Sequence, residues 1–249
     1  MAAPAIKTVL EMDLASYSDV AKTLEEHLDV RAVKALQEQI QGFVDQGLSE
    51  VGLRREDIVF ATAGDSAILV FDEAERMHHL TAAISRATSR HNQGKSISSA
   101  QRWFRMGCAT GEVLVDGPKK EVVGTAIARA VRLESASERG SLLVDTPTFD
   151  ALPTHLQGEY GPEIVVTGKR DERFAARRCT FVKPSDDTGE GAPSTSSGTI
   201  LNDVWSLLDE NLQDAFALAY NVKNRSGGSE PRTSSSTSRS TAMVPQSTC

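Results

Sequence analysis

The chain has 249 residues, of which 39% are hydrophobic and 24% are charged, so it is long enough for one domain and an appendage. Its formal net charge of -7 argues against non-specific binding of nucleic acid, which requires a basic surface. No apolar stretch approaches the length of a membrane span, no signal peptide is recognisable, and the three cysteines lack metal-ligand spacing. We therefore expect a cytoplasmic protein that binds neither nucleic acid nor a membrane.

The N-terminal third of the chain predicts four elements, which are a strand, two helices and a β-hairpin, in residues 6–14, 20–28, 30–51 and 58–71. The strand ends at Asp13 and Leu14, and Gly64 and Asp65 form the turn of the hairpin. Two aspartates are thus expected at the end or turn of apolar, β-prone runs. Carboxylates held on adjacent strands are what a pair of divalent cations requires if it is to bind a triphosphate.

The pattern of the next segment predicts further helices at 74–92, 124–137 and 146–152, and strands at 104–110, 112–115, 121–123, 141–144, 163–167 and 177–182. The strands at 104–110 and 112–115 are expected to meet at Gly111. Most strands follow one another as hairpins, and helices are interposed. The predicted fold is therefore α+β, with a mixed, largely antiparallel sheet covered by helices.

The C-terminal part changes to a composition rich in Ser, Thr, Gly and Pro. We expect an ordered domain in residues 1–183, a flexible linker in 184–198, an amphipathic helix in 199–222 and a disordered tail in 223–249. One helix cannot bury its own apolar stripe, so this helix is expected to dock on the domain, on a partner or on its own copy.

Three segments together resemble the class III nucleotide cyclase catalytic domain. They are Glu11-Met12-Asp13-Leu14-Ala15-Ser16-Tyr17-Ser18, Ala63-Gly64-Asp65 with the apolar strand that follows, and Gly124 through Glu134. Arg105-Met106-Gly107 and Thr110-Gly111-Glu112-Val113 extend the resemblance, which covers residues 8–182. A Gly-Asp turn alone is a weak signal, but the ordered set at these separations is a strong one.

The resemblance implies that the 3′-hydroxyl of a nucleoside triphosphate attacks its own α-phosphate, giving a 3′,5′-cyclic nucleotide and pyrophosphate. Asp13 and Asp65 match the carboxylates that bridge two divalent cations, Mg²⁺ or Mn²⁺, and Leu14 would add its backbone carbonyl. Arg132 matches the arginine that stabilises charge on the α-phosphate. The positions that match the binding loop for the β- and γ-phosphates, at the start of a helix, are Ala15, Ser16, Tyr17 and Ser18.

In this family the metals come from one subunit and the arginine comes from the other. One such domain in the chain therefore implies a homodimer with two equivalent sites at the subunit interface.

The chain departs from the family pattern at the positions that read the substrate. The purine-reading positions fall on Ala61 and Glu121, and the ribose-orienting asparagine is replaced by Ala128. The lysine expected to bind the triphosphate falls on Thr167, although Lys169 is close. These departures predict either an inactive cyclase fold kept for nucleotide binding or an enzyme with rebuilt base recognition.

We favour rebuilt recognition, because a dead site has no reason to keep both aspartates and Arg132 together. A compact cyclase with altered base-reading positions resembles the pyrimidine cyclases of the bacterial Pycsar antiphage system. That resemblance implies conversion of UTP to cyclic UMP, or of CTP to cyclic CMP, and a separate effector protein that reads the product. An adenylate cyclase that makes cyclic AMP is the alternative enzyme.

Overall fold

The computed structural model describes residues 3–95, 100–116, 121–167 and 173–182. The predicted linker, amphipathic helix and tail, in residues 184–249, lie outside the described residues, as does Lys169.

The described part of the chain forms eight strands: β1 Ala5–Leu14, β2 Val59–Ala63, β3 Ser66–Phe71, β4 Phe104–Asp116, β5 Glu121–Val123, β6 Ser141–Asp145, β7 Glu163–Thr167 and β8 Arg173–Thr180. It also forms seven helices: α1 Tyr17–His27, α2 Val30–Glu50, α3 Arg55–Ile58, α4 Ala74–Asn92, α5 Thr125–Ala136, α6 Thr146–Asp150 and α7 Thr154–Gln157. The short helices α3 and α7 are elements that the apolar spacing did not predict.

One sheet contains all eight strands, in the order β2-β3-β1-β4-β6-β8-β7, and β5 pairs with β4 outside this path. Every pairing is antiparallel except that of β4 with β6. Helix α5 packs on β4, β1 and β6, and α2 packs against α4. The predicted α+β fold with a mixed, largely antiparallel sheet is confirmed.

The prediction of two strands that meet at Gly111 is wrong, because β4 runs through this residue without a break. Gly111 pairs with Lys7 of β1 and therefore remains inside the ladder. Residues 104–113 of β4 pair with β1, and its last three residues pair with β5. Strand partners thus hold the chain extended where glycine alone would favour a turn.

The pleat of β1 assigns its residues to two faces, because successive side chains of a strand point to opposite sides. Val9 belongs to the buried apolar cluster that also contains Ala130 and Leu133 of α5. Glu11 and Asp13 follow Val9 at intervals of two, so they share the face on which α5 packs. The intervening residues of the other face, including Leu10 and Met12, are fully buried.

None of the described helices has the length and apolar character needed to cross a bilayer.

A buried histidine lies on α4, outside the set of predicted site residues. His78 of α4 is 2% exposed, its Nδ1 lies 3.0 Å from the hydroxyl of Tyr160, and its Nε2 lies 3.4 Å from a carboxylate oxygen of Glu159. Burial lowers the pKa of His78, and His79 and His155 act in the same direction, whereas Glu159 opposes them. His78 is therefore held in its neutral form in the native protein.

We expect His78 to make the native state less stable in acid. Its pKa is lower in the folded state than the ordinary value of about 6.5, so below that pH the unfolded chain binds more protons. The free energy of unfolding should fall as the pH drops below about 6.5, by at most about 1.4 kcal/mol per pH unit for one proton. Urea unfolding of wild type and His78→Gln between pH 7 and 5 measures this slope.

The matched control is His27→Gln, which removes an exposed histidine at the end of α1. Its slope should equal that of the wild type, while His78→Gln should show a smaller loss of stability in acid. Equal slopes for all three proteins would contradict a neutral buried His78.

Candidate active site

Asp13 and Asp65, the two aspartates predicted to bind cations, lie at the same end of neighbouring strands. Asp65 occupies the turn between β2 and β3, and β3 pairs with β1 so that Ala67 faces Met12. This register brings the turn to the end of β1, beside Asp13. Burial, followed by the hydrogen bonding and charge of Asp13, raises the pKa of Asp65 to about 7.

Arg105 balances part of this negative charge. It is the register partner of Asp13 on β4, and its Nη2 donates to Oδ2 of Asp13 at 2.6 Å. Its Nε lies 3.0 Å from Oε1 of Glu134 on α5, without the alignment of a hydrogen bond. One guanidinium group therefore bridges the carboxylate of Asp13 and a carboxylate of the helix above the sheet.

Helix α5 can come this close because β4 carries glycine beneath it. A Cβ atom built on Gly107 would lie 2.0 Å from the backbone nitrogen of Glu134 and 2.3 Å from the carbonyl oxygen of Ala130. No larger residue fits without displacing the helix. Gly107 thus sets the height of α5 above the sheet and lets Glu134 reach Arg105.

Two further glutamates increase the density of acidic groups. Glu11 is 8% exposed, and burial, followed by the charges of Glu134 and Asp13, raises its pKa to about 8. Burial and the charge of Asp13 also raise the pKa of Glu134, against the opposing effect of Arg105. Within the described part of the chain, Oε2 of Glu11 has no hydrogen-bond partner.

This donor set fits a divalent cation. An ionised carboxylate only accepts hydrogen bonds, so Asp13 and Asp65 can approach each other only through a shared proton or a bound cation. Carboxylate and carbonyl oxygens are the ligands that Mg²⁺ and Mn²⁺ prefer. Leu14 directly follows Asp13 as the last residue of β1, and it is buried. In the described residues, no group of three or more His, Cys, Asp or Glu side chains has metal-binding geometry.

The loop that was predicted to bind phosphate directly follows β1 in the chain. The backbone nitrogen of Ala15 donates to the carbonyl of Trp103 at 2.8 Å, which fixes the loop to the start of β4. Ser16 has a left-handed backbone, with φ of 63°, and its side chain does not cap α1. The first N–H groups of a helix have no partner inside it, so they are available to an acceptor such as phosphate.

Tyr17 joins this loop to the turn of Asp65. Its hydroxyl accepts a hydrogen bond of 2.7 Å from Nε2 of Gln37, and its ring lies beside Gly64. Ser18, at the second position of α1, is exposed. The structure therefore places the predicted phosphate loop and both predicted metal aspartates in one region.

The remaining predicted residues are spread over other elements. Arg132 is half-buried on α5, and Ala128 is exposed one turn earlier. Ala61 is exposed on the edge strand β2, opposite Ile68 of β3. The roles of all these residues remain predictions.

Glu121 does not lie with the aspartates of its own chain. It is exposed and pairs with Asp116 at the outer end of β4, about 30 Å along the strand from Gly107. A contribution from Glu121 to the predicted site therefore requires a second copy of the chain.

The sequence did not single out Glu11, Glu134 or Arg105 as site residues. For Glu11 a signal existed, because a residue two positions before Asp13 on a strand shares its face. The contact of Arg105 with Asp13 depends on the register of β1 with β4, which no local pattern specifies.

Comparisons with known proteins give a consistent likeness of fold. No protein-family model and no curated protein matches this sequence. Among solved structures, the guanylyl cyclase Cya2 has a TM-score of 0.58 and 18% identity, covering 76% of this chain and 98% of its own.

An adenylate/guanylate cyclase/hydrolase from Silicibacter pomeroyi has a TM-score of 0.55 and 18% identity, covering 71% of this chain and 97% of its own. The guanylate cyclase domain of RhGC from Catenaria anguillulae, in complex with GTP, has a TM-score of 0.55 and 18% identity, covering 73% of this chain and 100% of its own. The described domain therefore has the fold of nucleotide cyclase catalytic domains.

Proposed function

We propose that this protein is a nucleotide cyclase that converts a nucleoside triphosphate into a 3′,5′-cyclic nucleotide and pyrophosphate. The observation that carries the proposal is the register of β1 with β3, which brings Asp13 and Asp65 to the same end of two adjacent strands. The likeness of fold to adenylate and guanylate cyclase structures supports the same class of reaction.

Asp13 and Asp65 would hold two divalent cations, and the backbone carbonyl of Leu14 would complete one ligand set. When bound, such cations lower the pKa of the attacking hydroxyl and neutralise charge on the phosphates. The backbone amides of residues 15–18 would bind the terminal phosphates at the start of α1. Arg105 keeps the carboxylate of Asp13 in place through its 2.6 Å hydrogen bond.

The proposed enzyme acts as a homodimer, in which Arg132 of one subunit serves the aspartates of the other. The distance of Glu121 from the aspartates of its own chain supports an arrangement in which β5 acts on a partner. The exposed side chains of Leu114 and Val123, which face each other across β4 and β5, are suited to burial between subunits.

We further propose that this protein is cytoplasmic and acts on a pyrimidine triphosphate, with UTP giving cyclic UMP as the first choice. It would serve an antiphage system in which a separate effector protein reads the product. The support is the side chains at the base-reading positions, where Ala61 has no hydrogen-bonding group and Glu121 replaces the usual aspartate or small polar residue. Cyclic AMP is the alternative product.

The substrate is tested by incubating the purified full-length chain with ATP, GTP, CTP and UTP in turn, with Mn²⁺ or Mg²⁺. Mass spectrometry should detect a 3′,5′-cyclic nucleotide and pyrophosphate, and UTP should give the highest rate. A preference for ATP would replace the pyrimidine proposal with an adenylate cyclase. Absence of any cyclic product would argue against the enzyme.

Asp65→Asn should lower kcat on the order of 10³-fold, because bound cations supply several kcal/mol of charge stabilisation in the transition state. The same variant should lose most of the increase in Tm that Mn²⁺ gives the wild type, since only the native state binds the ion. In EDTA its Tm should equal or exceed that of the wild type, because one of the crowded carboxylates is gone.

Asp57→Asn is the matched control, because Asp57 is an exposed aspartate that pairs with Arg54 away from β1. It should leave both kcat and the Mn²⁺-dependent increase in Tm unchanged. An Asp65→Asn protein that retains the full Mn²⁺ effect would contradict the assignment of Asp65 as a metal ligand.

Mixing two inactive variants tests the shared site. In dimers formed from equal amounts of Asp65→Asn and Arg132→Ala chains, half of the dimers are mixed and one of their two sites is intact. The mixture should recover about a quarter of the wild-type activity after subunit exchange, whereas neither variant is active alone. Failure to recover activity, with exchange verified by native mass spectrometry, would show that each site uses a single chain.

A non-catalytic nucleotide-binding module is the second candidate, and Ala128 in place of the ribose-orienting asparagine favours it. This candidate predicts Mn²⁺-dependent nucleotide binding by calorimetry without turnover of any triphosphate. Binding together with cyclic product excludes it.

A further inference from the structure

We propose that Arg139 binds the terminal phosphates of the substrate from the same chain that supplies Asp13 and Asp65. This inference rests on the proposed function for its substrate class. It concerns a residue that neither the sequence pattern nor the comparisons singled out, in the loop between α5 and β6.

The position of Arg139 is set from both sides of its loop. On one side, Glu138 accepts a 2.6 Å hydrogen bond from Arg178 of β8. On the other, the backbone nitrogen of Gly140 donates to the carbonyl of Phe104 at 2.8 Å. Gly140 has φ of +73°, and a Cβ atom there would lie 2.6 Å from the carbonyl oxygen of Val182, so this anchor requires glycine.

The same stretch of β4 anchors the phosphate loop. The nitrogen of Ala15 donates to the carbonyl of Trp103, and that of Gly140 donates to the next carbonyl, of Phe104. The loop after β1 and the loop before β6 are therefore held to consecutive residues. Their side chains meet, because Nη2 of Arg139 donates to Oγ of Ser16 at 2.7 Å.

The charge of Arg139 is not balanced within the described residues. The carboxylate of the neighbouring Glu138 forms an ion pair with Arg178. Arg139 instead donates to the hydroxyl of Ser16, which is neutral. Arg139 is exposed, so its guanidinium is open to a ligand arriving from solvent. With one N–H used by Ser16, the remaining donors can bind phosphate oxygens in the paired geometry that suits guanidinium.

The phosphate loop itself lacks a cation. Residues 15–18 are Ala, Ser, Tyr and Ser, so they offer backbone N–H groups and hydroxyls but no positive side chain. A triphosphate brings several negative charges to a region that already holds Asp13 and Asp65. Arg139 supplies a positive charge at the end of the loop that lies beyond the aspartates, where the phosphates furthest from the reacting atoms would lie.

The test measures binding of inorganic tripolyphosphate with Mn²⁺ to the full-length chain by titration calorimetry, and KM and kcat for the triphosphate that is turned over. Arg139→Ala should weaken tripolyphosphate binding and raise KM by about tenfold each, the loss of one charge-assisted contact, with kcat changed less than about twofold. Arg139→Lys should recover part of the affinity. Thermal unfolding verifies the fold, and Arg139→Gln serves if the alanine variant is unstable.

The control is Arg76→Ala, which makes the same change of charge at an exposed arginine near the start of α4. That helix begins beside the ion pair of Lys7 with Asp72, at the opposite end of β1 from Asp13. Arg76→Ala should bind tripolyphosphate as the wild type does.

The outcomes separate the two proposals. If the wild type binds tripolyphosphate and Arg139→Ala binds it equally well, the inference is overturned and the cyclase proposal stands. If the wild type binds and Arg139→Ala binds weakly, but no triphosphate is cyclised, the phosphate contact is supported and the cyclase proposal fails. A wild type that does not bind tripolyphosphate overturns the inference.

Discussion

The organisation of this site depends on electrostatic repulsion among carboxylates that the fold holds together. Four acidic side chains lie in one region: Glu11, Asp13, Asp65 and Glu134. The guanidinium group of Arg105 lies between two of them, Asp13 and Glu134. Burial, followed by the neighbouring acidic groups, raises the pKa values of Glu11 and Asp65. A protein gains nothing in stability from such a cluster, so its purpose has to be sought in what binds there.

The fold creates this crowding with very few elements. β1 presents Glu11 and Asp13 on one face while its other face is buried in the apolar core. The hairpin on one side of β1 brings Asp65, and β4 on the other side brings Arg105. Gly107 then allows α5 to lie directly on the strand pair. The two aspartates, Arg105 and Glu134 of α5 therefore meet within the width of three strands.

The sequence predicted those parts of the fold whose pattern is local. The turn at Gly64 and Asp65 and the apolar spacing of the long helices were found because each depends on neighbouring residues. The unbroken course of β4 through Gly111 was not found, since pairing with β1 and β5 holds that strand extended. The contact of Asp13 with Arg105 was not predicted either, because residues far apart in the chain meet only once the strand register is set.

The same distinction between local pattern and long-range packing explains which parts of the candidate site could be predicted. The aspartates could be paired from the sequence because they stand in recognisable strand and turn contexts that resemble a known family. The role of Glu134 depends on the closeness of α5 to Gly107, which is a property of packing. The selectivity for a base could not be derived, because the predicted base-reading positions, Ala61 on β2 and Glu121 on β5, depart from the family pattern and lie on separate strands.

The unbroken strand β4 has a mechanical consequence. Its inner end carries Arg105 against Asp13, and its outer end carries the exposed ribbon formed with β5. Both ends belong to one extended strand, so a load on the ribbon would act on the same strand that holds the guanidinium against the carboxylate of Asp13.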